Sequence, residues 1–208
     1  MISVKEKDLF VLINIDTDII NTSATRFDLS LLKDAIISQL NRVYNGPVGK
    51  YKLQLSIHVS ILKKISQCSP QKILFQIVDT IPGNNPAEAD FKGLRIKLNK
   101  YYVNDIISGK NIRTIPHEIG HLLGWDHPHA KASYESVNLT AHRLEQELTE
   151  DERKNNLMSQ TWYAQKALVP MDKAVKLSEK QIELLLLHEI SLNKNRHLNY
   201  FLWWKKIV

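Results

Sequence analysis

The chain has 208 residues, 43% hydrophobic and 24% charged, with only seven glycines and seven prolines. That is the make-up of a globular domain, and it excludes collagenous, low-complexity and largely disordered classes. One cysteine, Cys68, excludes an internal disulfide, so a packed core must hold the fold, and the net charge of +6 is spread without a recognised nucleic-acid module, so no specific nucleic-acid partner is expected.

In chain order, Met1 to Lys7 is polar and charged and receives no element. Leu9–Ile15 (LFVLINI) reads as a buried strand. This run is too short for a signal-peptide core or a membrane span, and Asp16 and Asp18 follow it, so no transmembrane segment is expected. Asp28 looks like an N-cap for a helix carrying Leu29, Leu32, Ile36, Leu40 and Val43 at helical spacing, and Gly46-Pro47 stops it. In Tyr51–Leu62 the residues Leu53, Leu55, Ile57, Val59 and Ile61 alternate with polar ones, the pattern of a half-buried strand. Ile73–Val78 (ILFQIV) is a third strand.

Thr80–Gly93, with Pro82-Gly83 and Asn84-Asn85-Pro86, has loop chemistry. Leu94–Leu98 (LRIKL) reads as a fourth strand, with its basic residues typical of a sheet edge. A helix is expected around Ile112–Leu123. Beyond it no strand is convincing: residues 129–156 are polar and in part helical. Ser178 with Gln181 resembles a capping box that opens a helix through Ile182, Leu185, Leu186 and Ile190. The reading is a single domain over residues 1–208, with a strand-rich upper lobe to about residue 124 and a helix-and-loop lower lobe from about residue 125.

The informative stretch is Pro116–Pro128, PHEIGHLLGWDHP. His117 and His121, four apart on a helix, project from one face and can meet one ion at about 2.0–2.1 Å. Gly124 can take the left-handed conformation that ends the helix, so that His127 returns as a third ligand. Three protein ligands leave a fourth position for water, the mark of a catalytic zinc site as opposed to a closed structural one. Glu118, beside the first histidine, is placed to take a proton from that water and pass it to a leaving amine, acting as general base and acid.

Histidine, glutamate and glycine at these spacings resemble the metzincin metallopeptidases, whose motif is HExxHxxGxxH followed by a methionine-containing turn. The match is nearest to serralysin-like enzymes, because Pro128 follows His127 and the helix reads HEIGH. The turn candidate is Asn156–Gln160 (NLMSQ), and the resemblance makes Met158 the apolar floor beneath the metal. Gln160 stands where serralysin-like enzymes have a tyrosine; Tyr163 lies at a different offset. Glycine-rich calcium repeats, a cysteine-switch motif around Cys68 and the cysteines of archaemetzincins are missing.

The resemblance implies an α+β, metzincin-like two-lobed catalytic domain. A mixed twisted sheet and the zinc helix would form the N-terminal lobe, with helix and loop in the C-terminal one. It implies a monomeric zinc-dependent endopeptidase with Zn2+ on His117, His121 and His127. The partner is a polypeptide substrate paired with an edge strand, for which Leu94–Leu98 is the candidate; an inhibitor or immunity protein is a further candidate partner. It also implies secretion or export; no leader is read in the chain, and a cytoplasmic location is the alternative. Two rival readings stand beside it: a catalytically inactive zinc-containing protein-binding module, and a DNA-associated intracellular protease. Asp126 suits either a solvated turn or a hydrogen bond that orients a ligand histidine; the remaining features are bland: His58, His142, His188 and His197 have no metal-like spacing, His129 suits an exposed loop, and the tail Tyr200–Val208 suits packing on the core.

Overall fold

A computed structural model describes residues 2–90, 94–125, 127, 149, 152, 155–159 and 174–187. Its elements are β1 (Ile2–Lys7), β2 (Phe10–Asn21), α1 (Leu29–Tyr44), β3 (Gly46–Val48), β4 (Tyr51–Ile61), β5 (Ile73–Val78), β6 (Ala87–Asp90), β7 (Arg95–Asn99), α2 (Lys100–Ile107) and α3 (Thr114–Leu122). Among the described residues the strands form one mixed seven-stranded sheet in the order β3-β4-β2-β5-β7-β6, with β1 paired to β2. No described helix is long and apolar enough to cross a membrane.

The centre of the sheet is parallel: β2 pairs with β4 on one side and with β5 on the other, and β5 pairs with β7. Neighbours on both sides pair the main chain of these strands, and their apolar side chains fill the core against the faces of the sheet. Val11, Ile13, Ile15, Leu53, Val59, Phe75, Ile77, Ile96 and Leu98 all join the core. Over it lies α1, presenting Leu32, Ile36, Leu40 and Val43. As the sequence suggests, Asp28 caps this helix, its Oδ1 accepting from the Ser30 and Leu31 amides at 2.9 and 3.3 Å.

Four expectations need correction. Met1–Lys7 is not without structure: Ile2–Lys7 pairs antiparallel with β2 through a two-residue turn in which Asp8 and Leu9 both have positive φ (53° and 68°). This is hairpin geometry normally signalled by Asn-Gly or Asp-Gly, and leucine disguises it. β2 runs on from Ile15 to Asn21, because Thr17 is paired on both sides and Asp18 is buried beside Lys72, 3.4 Å away. The supposed loop Thr80–Gly93 contains β6. Leu94–Leu98 is therefore no edge, since β7 is flanked by β5 and β6. The edge is β6, Ala87–Asp90, whose AEAD sequence has little intrinsic strand preference and is recruited by its neighbour.

Helix α3 is held from beneath. Gln39 of α1 donates to the carbonyls of Ile106 and Asn111 at 3.0 Å each, and the buried Tyr44 hydroxyl donates to the Pro116 carbonyl at 2.8 Å. The Asn111 side chain accepts the Thr114 amide at 3.1 Å, which satisfies one of the first-turn donors of α3.

Candidate metal centre

At the end of α3, Gly124 has φ 91°. Its amide donates to the His121 carbonyl at 2.9 Å, and the Trp125 amide donates to the Gly120 carbonyl at 3.0 Å. These two reverse bonds close the helix in a Schellman arrangement, which needs a left-handed residue at the glycine position. Trp125 then turns inward and is almost fully buried. It stacks on Tyr44 with ring centres 6.3 Å apart, and its Nε1 donates to the Gln181 carbonyl at 3.0 Å. The chain is thereby sent back over the helix, carrying His127.

The three histidines converge: one ring nitrogen from each of His117, His121 and His127 lies within 4.8 Å of the others. Nε2 of His117 and Nε2 of His127 are 3.2 Å apart. Two ligands at about 2.0–2.1 Å from one tetrahedral ion stand about 3.3 Å apart, so this spacing suits such an ion. On two rings the far nitrogen is engaged as well. His117 Nδ1 contacts the Leu157 carbonyl at 2.8 Å, and His121 Nδ1 contacts the Trp125 carbonyl at 2.9 Å. A carbonyl only accepts, so both Nδ1 atoms carry the proton and both Nε2 atoms keep a lone pair for a cation. Burial and the surrounding positive groups hold the His117 imidazole well below its usual pKa, which keeps it neutral, as a ligand must be. The three can hold one metal ion.

Glu118 reaches β6, where its carboxylate accepts from the Ala89 amide. Burial is the main influence on it, with Glu88 adding to the effect and the Ala89 bond and Arg113 opposing it. The net result raises its pKa to about 7. Met158 is fully buried, and its sulfur lies against Gly120 of α3, where a β-carbon would collide with it. This accounts for the glycine between the helix's two histidines.

The surroundings depend on residues that the sequence does not advertise. Arg113, buried at the start of α3, donates through Nε and Nη2 to the Leu157 carbonyl at 3.1 and 3.0 Å, and burial lowers its pKa to about 10. Asn156 and Gln181 exchange side-chain hydrogen bonds of 2.7 and 3.2 Å, and Asn156 Oδ1 also accepts the Met158 amide at 2.9 Å. Gln181 meanwhile closes the capping box expected with Ser178: its Oε1 accepts the Ser178 amide at 2.9 Å, and its own amide donates to Ser178 Oγ at 3.3 Å. Helix 179–187, the methionine turn and Trp125 thus share one buried polar network. Arg113 stands four residues before His117, so helical spacing could have flagged it; nothing local marks Asn156 or Gln181 as partners 25 residues apart.

His58 is not drawn to the triad; it lies exposed on the sheet, 3.2 Å from Asp16. Asp126, His129, His142, Gln160, Tyr163, His188, His197 and the tail from Tyr200 lie outside the described residues.

No family model matches the chain, and no curated protein does. Among solved structures, the chain is similar to the crystal structure of archaemetzincin from Methanopyrus kandleri. Identity is 12%, the alignment covers 83% of this chain and 94% of that one, and the TM-score is 0.47. That likeness transfers no residue's role.

Proposed function

We propose that the chain is a zinc-dependent endopeptidase, with His117, His121 and His127 as ligands and Glu118 as general base and acid. The observation that carries the reading is the convergence of three imidazoles, two of them pinned through Nδ1 so that Nε2 faces a common point. Bound zinc would supply a Lewis acid for a carbonyl and lower the pKa of water to about 7.

The chain's own residues do the rest. Glu118, with a pKa near neutrality, can accept a proton at its carboxylate and return it to a leaving nitrogen. A nearby divalent cation would draw that pKa downward and favour the base form at the outset. The Ala89 amide is given to Glu118, so the carboxylate stands beside the outer edge of β6, the last strand of the sheet among the described residues. An extended polypeptide added along that edge would bring its backbone to Glu118, so β6 takes the substrate-pairing role first expected of Leu94–Leu98.

Metal analysis combined with proteolysis of a peptide library, on wild type and Glu118→Ala, tests the reading. The variant is expected to keep one zinc and lose cleavage; equal cleavage by the two proteins would refute the assigned chemistry.

A further inference from the structure

Arg113 is an expensive residue to place where it is. Its side chain is buried, and among the described residues no carboxylate lies within ion-pair distance of it. Glu118 acts on it only at longer range, and a buried cation with no carboxylate in contact is destabilising unless its donors are well used. Among the described residues its donors meet a single acceptor: Nε and Nη2 reach the Leu157 carbonyl at 3.1 and 3.0 Å. That oxygen also receives His117 Nδ1 at 2.8 Å, and Arg113 Nη2 stands 3.5 Å from the same ring nitrogen. The guanidinium and the imidazole meet side by side on this one oxygen.

We propose that Arg113 is a positioning residue for the metal, fixing the His117 ring through the Leu157 carbonyl that the two side chains share. Leu157 lies 40 residues beyond His117, in a turn whose only described strand-like support is the Asn156–Lys176 bridge. The amide edge of the same peptide plane is held by Asn156 Oδ1, and the two-point donor at the start of α3 fixes the carbonyl edge. His121 has its own acceptor, the Trp125 carbonyl, in the residue whose amide closes the helix on Gly120.

The inference rests on the metal reading of the three histidines, and its test separates the two. Zinc affinity is measured by chelator competition on wild type, Arg113→Met and Arg113→Lys, together with the visible absorption of the cobalt-loaded forms, which reports ligand geometry. Arg113→Met is expected to weaken zinc binding about 10- to 100-fold and to shift the cobalt bands, and Arg113→Lys, which keeps the charge and a single donor, to recover part of both. Wild type that binds no zinc would sink the metal reading itself. Wild type that binds, beside an Arg113→Met protein within about twofold in affinity and with unchanged cobalt bands, would overturn the positioning role alone. Should Arg113→Met fail to fold, the same criterion applies to Arg113→Lys.

Discussion

The sheet and the segments that meet α3 from beyond it are built on opposite principles. Around β2, β4 and β5 the interior is almost entirely aliphatic and aromatic, and any one side chain touches many equivalent neighbours. Around Leu157 and Met158, position is set by a few directed bonds from Arg113, Asn156, Ser178 and Gln181. Apolar packing is strong but tolerant of small shifts, whereas hydrogen bonds fix direction. A metal centre needs the second kind of order, and it lies where the two constructions meet.

Substitutions on either side should therefore fail differently. The largest effect is expected at Phe75, fully buried between β2 and β7. Phe75→Ala should cost about 3–5 kcal/mol in denaturant unfolding, while zinc affinity of the molecules that remain folded stays as in wild type. A change in that affinity would show that the sheet, too, sets the metal geometry.

Next comes Glu118, studied without metal. Its folded-state pKa of about 7 exceeds the ordinary 4.5, so between these values the folded protein keeps a proton that the unfolded chain has released. Its contribution is therefore fully favourable below pH 4.5 and is lost as pH rises through 7. Neutral Glu118→Gln removes this term, and its advantage over wild type should grow across that window to about 3 kcal/mol. His117, lowered in the fold, acts in the opposite sense below its usual pKa of 6.5, and it cancels when the two proteins are compared at each pH. A pH-independent difference would mean that the carboxyl is solvated in the folded state.

The smallest effect in free energy is the most diagnostic. Gln181→Leu keeps the volume but strips Asn156 and the Ser178 amide of their partner, at about 2 kcal/mol. Unlike Phe75→Ala, it should also weaken zinc binding, since Asn156 holds the Met158 amide and Gln181 belongs to the helix that receives Trp125. Zinc titration of the folded variant checks this, and unaltered binding would erase the distinction between the two constructions.

The same contrast decides what could be read from the chain. Ile73–Val78, Tyr51–Ile61 and the Asp28-capped helix are legible because burial writes a local period into the residues. His117, His121, Gly124 and His127 are legible because one helix and one turn set their spacing. β1 was hidden by Lys5, Glu6 and Lys7, and by a hairpin turn without glycine or asparagine at its left-handed positions. β6 was hidden because AEAD becomes a strand only when β7 offers it partners. Short α2 was missed altogether. Helical spacing sets Arg113 beside His117, but its acceptor Leu157, like the Asn156 partner of Gln181, lies far along the chain, and no periodicity carries that information.

One consequence follows from the acceptors on His117 and His121, both of which are main-chain oxygens. An oxygen of that kind is present whichever amino acid occupies position 125 or 157, so replacing the side chain there does not by itself delete the bond that aims the ring. The aim of these two imidazoles is inherited through the path of the backbone more than through residue identity, and the centre could survive extensive sequence drift so long as that path is kept.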